Sequence, residues 1–185
     1  MGRRVTCIVG IETDDGVVIG GDSAGTSPNF SFVQISDEKV WIDGAWIFGV
    51  CGNFRLSQLL RHALTLPQIP ESDDDLEKFL VMDFMDAVRS TILDSGVVQS
   101  KNAVEQIVDS DFLVGVRGRL YLVQCDFSII RSALGYYATG CGMDIALGSL
   151  HSTPQLAART RAKKALEAAA QHNSAVAPPF TILEN

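Results

Sequence analysis

Val5-Thr6-Cys7-Ile8-Val9-Gly10-Ile11-Glu12 is rich in β-branched residues, and Asp15-Gly16 separates it from a second apolar run, Val17-Val18-Ile19-Gly20-Gly21. Two such runs around an Asp-Gly pair predict a β-hairpin. The same pattern recurs downstream: Lys39-Val40-Trp41-Ile42, then Asp43-Gly44, then the apolar run 45–50. Between the hairpins, Thr26-Ser27-Pro28-Asn29 reads as a loop.

Beyond residue 50 the period changes. Phe54, Leu56, Leu59, Leu60, Ala63 and Leu64 suit a helix that Pro67 and Pro70 interrupt. Ser72 then supplies a cap, and Asp73-Asp74-Asp75 complements the positive end of a helix dipole. Leu76, Phe79, Leu80, Phe84, Val88 and Ile92 follow at helical spacing, with Gly96 as a stop. Strands are predicted over 112–116, 120–125 and 135–139, and a helix over 143–150. Thr153-Pro154 reads as a cap with proline at the first helical position, opening a second helix to His172. Phe180-Thr181-Ile182-Leu183 is a terminal strand. Short hairpins make the sheets antiparallel, and paired helices can cover their outer faces. The predicted class is therefore α+β, a four-layer αββα sandwich of two stacked sheets flanked by helix pairs.

The chain has 185 residues, which favours one domain. Its formal net charge of -7 argues against nucleic acid or an anionic membrane surface as a partner. The apolar runs are too short to span a bilayer, and no signal peptide is read, so a cytoplasmic protein is expected. Cys7, Cys51, Cys125 and Cys141 are widely spaced, which indicates neither a zinc site nor a disulfide framework. No cofactor is expected, and no metal site.

The opening of the chain also resembles a known family. Thr6-Cys7-Ile8-Val9-Gly10-Ile11, the turn at Asp15-Gly16, and Gly21-Asp22-Ser23-Ala24-Gly25-Thr26 are similar to the first strands of proteasome β subunits and of the bacterial HslV peptidase, which are N-terminal-nucleophile (Ntn) hydrolases. Val50-Cys51-Gly52-Asn53 and Tyr137-Ala138-Thr139-Gly140-Cys141-Gly142 resemble two later family segments. Lys39 lies one residue beyond the family's lysine, so a single insertion is required before it.

The resemblance implies a single domain over 6–185, preceded by a leader, 1–5. It implies a threonine peptidase with Thr6 as nucleophile. A threonine hydroxyl needs a base beside it. In this family the base is the threonine's own α-amine, whose ordinary pKa of about 7.7–8.0 leaves a useful neutral fraction. By the same resemblance Lys39 lowers the local proton affinity, Asp22 holds Lys39, the Gly52 N–H stabilises the oxyanion, and Cys141 takes the place of a serine that orients the amine. Gly25, Thr26 and Val50 fall at substrate-binding positions, with Val50 favouring a medium apolar side chain. The implied partners are identical subunits in a ring or stacked rings, a peptide or protein substrate, and a separate ATP-dependent unfoldase, since no nucleotide-binding loop is present in this chain.

Several positions depart from the active pattern. Val5 stands where self-cleaving precursors carry glycine, and β-branching restricts the turn that cleavage needs. Asn173 replaces an aspartate and Val176 a serine; an amide lacks the carboxylate's charge and valine donates no hydrogen bond. Two functions therefore stay open: a peptidase whose leader is removed to expose Thr6, and an unprocessed, inactive subunit with a structural or assembly role. A nucleophilic Cys7 or Cys141 is a third possibility, against which Cys7 is expected on the opposite sheet face from Thr6.

Overall fold

The computed structural model describes residues 6–26, 32–93, 98–101, 105–108 and 110–185. The proposed leader 1–5, the loop positions Ser27–Asn29 and the expected stop at Gly96 lie outside them. The first hairpin is β1 (Cys7–Glu12) and β2 (Val17–Gly21), and the second is β5 (Val40–Asp43) and β6 (Trp46–Cys51). In the second, Asp43 pairs with Trp46, so the turn is Gly44-Ala45, with Gly44 at φ 56°. Between the hairpins lie β3 (Ala24–Thr26) and β4 (Phe32–Gln34), an antiparallel ribbon. Thr26, expected in a loop, thus belongs to a strand.

After β6 come α1 (Phe54–His62), α2 (Leu76–Phe79) and α3 (Met85–Leu93), then the ribbon β7 (Val98–Lys101) and β8 (Glu105–Val108). Next are β9 (Asp111–Val116), β10 (Arg119–Val123), β11 (Ile129–Arg131) and β12 (Tyr136–Gly140). The chain closes with α4 (Met143–Ser152), α5 (Ala158–His172) and β13 (Thr181–Glu184). A four-stranded sheet runs β12-β1-β2-β13 and a five-stranded sheet runs β11-β10-β9-β6-β5. The mixed α+β class with antiparallel sheets is as the sequence predicts.

The chain divides into two compact units. The first comprises 1–52, 111–122 and 130–185, and holds most of both sheets with α4 and α5. Its layering follows from the period-2 pattern of β1. Cys7, Val9 and Ile11 join the core beneath α4 and α5 with Ala146, Leu150, Ala165 and Leu166. Ile8 faces the other way, into the inter-sheet core with Ile19, Val40, Ile47 and Leu113. Close approach of the sheets depends on small residues. A Cβ on Gly49 would lie 2.6 Å from Ile8 Cγ2 and 2.7 Å from Ile19 Cγ2, too near for any real side chain. On the other face of the five-stranded sheet, Trp41 and Trp46 both stack on Phe48.

The second unit, 53–110 and 123–129, is mainly helical. Asn53 caps α1 by accepting from the Arg55 N–H at 2.8 Å, and Ser72 Oγ accepts from the Asp74 N–H at 3.2 Å as expected. Leu76, Phe79, Leu80, Phe84, Val88 and Ile92 are all buried. The single helix expected through them is instead a 3₁₀ turn at Asp73–Asp75, α2, a π turn at Leu80–Phe84, and α3. The π turn leaves Val81 and Met82 exposed while Leu80, Phe84 and Met85 stay inside.

One predicted boundary is displaced. The last long helix begins at Ala158, not Pro154, because Thr153 serves the preceding helix: its Oγ1 donates to the Ser149 carbonyl at 2.8 Å. That satisfies an orphan carbonyl at the end of α4.

Glu12 ties the two sheets at the far end of β1. Its carboxylate accepts from Arg131 Nε and Nη2, each at 3.0 Å, and from the Leu120 N–H at 2.8 Å. Burial alone would raise its pKa, but the Arg131 and Leu120 hydrogen bonds outweigh it and hold the carboxyl below its ordinary range. A depressed folded-state pKa gives stability that is present above the unfolded value of about 4.3 and lost as pH falls through the folded one. Glu12→Gln is expected to cost about 1–2 kcal/mol in urea unfolding at pH 7, the pair being partly exposed. The difference from the parent should shrink as pH falls below about 4.3 and through the folded-state pKa.

Candidate active site

Thr6 immediately precedes β1, Asp22 immediately follows β2, and Lys39 immediately precedes β5. The β1–β2 register places Ile8 opposite Gly21, so the hairpin brings positions 6 and 22 to the same end. All three residues are buried. Lys39 Nζ donates to Thr6 Oγ1 at 3.1 Å, to Asp22 Oδ1 at 2.8 Å and to the Ala24 carbonyl at 2.7 Å. Three acceptors match the three protons of an ammonium group. The single insertion ahead of Lys39 therefore does not displace its side chain from Thr6.

Asp22 is held equally closely. Its Oδ1 also accepts from the Cys7 N–H at 3.0 Å, and its Oδ2 accepts from the N–H groups of Ala24 at 3.0 Å and Ala177 at 3.4 Å. These donors fix the carboxylate, which in turn fixes the ammonium group beside Thr6. Ala24 has no side-chain chemistry and gives no sequence signal, yet its backbone serves both members of the pair.

On the other side of Thr6 lies Cys141. Its Sγ accepts from the Thr6 amide N–H at 3.4 Å and donates to the Thr6 carbonyl at 3.4 Å. The Thr6 carbonyl also accepts from the Gly142 N–H at 3.4 Å. Gly140 has φ 100°, and a Cβ there would collide with the Thr6 carbonyl, so this position requires glycine. The sequence-predicted residues Thr6, Asp22, Lys39 and Cys141 are thus joined by direct contacts.

The others flank them. Val50 N–H donates to the Lys39 carbonyl at 2.9 Å, which sets Val50 across from Lys39 on β6. Gly52 follows β6 with φ 111°, another conformation that favours glycine. Gly25 and Thr26 lie in β3, opposite Val33 and Phe32 of β4. The Thr26 side chain lies outside the described structure.

Cys7 is fully buried in the core beneath α4 and α5. Burial, reinforced by the negative charge of Asp22, pushes its thiol far above the ordinary range, so it stays protonated and inert. Among the described residues, no group of three or more His, Cys, Asp or Glu could hold a metal ion. Also among them, no helix is long and apolar enough to cross a membrane.

Solved structures match the fold of this chain over nearly its whole length. Thiobacillus denitrificans BPH, in complex with epoxomicin, superposes with a TM-score of 0.78 at 17% identity, covering 97% of each chain. This chain has the proteasome-like Ntn-hydrolase fold. Eukaryotic HslV from Trypanosoma brucei matches it with a TM-score of 0.68 at 16% identity, over 96% of this chain and 98% of that one. The Anbu complex of Pseudomonas aeruginosa, a helical assembly, matches at 0.71 and 17% identity, over 97% of this chain and 80% of that one. No family model and no curated protein matches the sequence. The Ntn-hydrolase likeness is therefore one of fold.

The buried ion pair makes a prediction independent of catalysis. Removing one partner strands the other charge. Lys39→Met is expected to cost about 3–5 kcal/mol in urea unfolding. The double variant Lys39→Met with Asp22→Asn should cost clearly less than the sum of the two single changes.

Proposed function

We propose that the protein is a proteasome-like threonine peptidase subunit that hydrolyses peptide bonds, with Thr6 as nucleophile once residues 1–5 are removed. The observation that carries this reading is the Lys39 ammonium group, 3.1 Å from Thr6 Oγ1 and anchored by Asp22 at 2.8 Å. The contact sets a positive charge against the hydroxyl that the resemblance casts as nucleophile.

In the processed chain the Thr6 amide nitrogen becomes a primary amine beside Cys141 Sγ. The amine takes the Oγ1 proton, and Oγ1 attacks the substrate carbonyl carbon. The Lys39 charge favours the developing alkoxide. The Gly52 N–H faces the oxyanion of the tetrahedral intermediate. Collapse expels the leaving amine, which carries the proton away, and leaves an ester on Thr6. Water, activated by the same amine, then hydrolyses the ester and restores Thr6. Val50 lines a pocket for a medium apolar side chain, with Gly25 and Thr26 along the substrate backbone. Identical subunits assemble in a ring or another closed or helical array, served by a separate ATP-dependent unfoldase in the cytoplasm.

A second reading has its own support. Val176 is buried in the core beneath α4 and α5, where the active pattern has a hydroxyl, and Val5 precedes Thr6. On this reading the chain keeps residues 1–5 and serves as an inactive structural subunit.

The two readings separate in one experiment. A chain made to begin at Thr6, by cleaving a fusion partner placed directly before it, is assayed with fluorogenic peptides and with epoxomicin. The peptidase reading expects turnover and a covalent adduct on Thr6. Thr6→Ala should lower turnover by on the order of a thousandfold or more and abolish the adduct. A folded but inert Thr6-initiated chain, with residues 1–5 intact by mass spectrometry of native protein, supports the structural subunit.

A further inference from the structure

The replacement of aspartate by Asn173 reads in sequence as a loss, but the geometry around it points elsewhere. Asn173 caps the end of α5, its N–H donating to the Ala169 carbonyl at 2.9 Å. Its side chain then works in two directions. Nδ2 donates to the Cys141 carbonyl at 2.8 Å, and Oδ1 accepts from the Ala175 N–H at 3.0 Å. The two contacts agree on one orientation of the amide, since the first partner only accepts and the second only donates.

These contacts close a circuit that begins and ends at Thr6. The Thr6 N–H reaches Cys141 Sγ, and the Cys141 carbonyl is held by Asn173. Asn173 also shapes the turn that follows it, through the Ala175 N–H to its side chain and the Val176 N–H to its carbonyl at 3.0 Å. That turn presents the Ala177 N–H to Asp22 Oδ2 at 3.4 Å, and Asp22 holds Lys39 against Thr6 Oγ1. One side chain therefore links the residue facing the Thr6 nitrogen to the pair facing its hydroxyl.

We propose that Asn173 is a positioning residue for the Thr6 site, and that the amide itself is required. A carboxylate has no donor for the Cys141 carbonyl and would set negative charge against its oxygen. Restoring the family's aspartate should therefore weaken this site. The catalytic part of this inference rests on the peptidase reading above.

Two measurements test it. In the Thr6-initiated chain, Asn173→Asp should lower kcat about tenfold at pH 8 with little change in KM. The deficit should narrow as pH falls through the carboxyl range, because the neutral acid regains a donor. Asn173→Ala should lose activity with no such pH dependence in its ratio to the parent. Equal or higher activity in Asn173→Asp, or a deficit independent of pH, overturns the proposal. The second measurement needs no turnover. In the full chain, Asn173→Asp should lower the urea-unfolding midpoint at pH 8, because the carboxylate has no donor for the Cys141 carbonyl that the amide holds at 2.8 Å. An unchanged midpoint overturns the contact. A lowered midpoint in a chain that cleaves nothing upholds the contact and removes the peptidase reading instead.

Discussion

The buried pairing of Lys39 with Asp22 is the constraint around which the first unit is organised. An ammonium group and a carboxylate taken out of water are tolerable only when geometry and further hydrogen bonds compensate. Here the compensation comes from backbone groups of β1, the start of β3 and the segment before β13: the Cys7 N–H, the Ala24 N–H and carbonyl, and the Ala177 N–H. Strands distant in sequence must therefore be in register before the charges are satisfied. Packing and electrostatics make the same demand, since β1 and β2 also bury Ile8 and Ile19 between the sheets.

Much of this was legible in the order of residues. The alternation in β1 separates Cys7, Val9 and Ile11 from Ile8, and the structure buries the two sets on opposite faces. The Asp-Gly pairs mark both hairpins, although the second turn closes one residue later than its Asp-Gly suggests. Thr6 and Asp22 stood out by the spacing of the segments the opening resembles, and Lys39 only after allowing one inserted residue before it. What stayed hidden depended on three-dimensional partners. Thr153-Pro154 carries a helix-start signature, yet the threonine bonds backward to Ser149. The π turn at Leu80–Phe84 leaves no mark in a sequence whose apolar residues fit an uninterrupted helix.

The meaning of a substitution was less legible than its position. Val176 is well explained by burial in an apolar core. Asn173 is not explained by subtraction from an aspartate, because the group it faces is a carbonyl. Whether a changed residue weakens a site depends on whether its partners changed with it, and sequence spacing alone says nothing of that.

The contacts on Thr6 reach each of its polar groups. Its carbonyl is gripped by the Gly142 N–H and Cys141 Sγ, its hydroxyl by Lys39, and the next residue, Cys7, by Asp22. The Gly140 conformation keeps that carbonyl side tightly packed. With its N–H on Cys141 Sγ as well, Thr6 is moored at amide, carbonyl and hydroxyl, like a boat tied at bow and stern. A residue tied at so many points keeps its hydroxyl on one heading, as a vessel on several lines cannot swing with the tide.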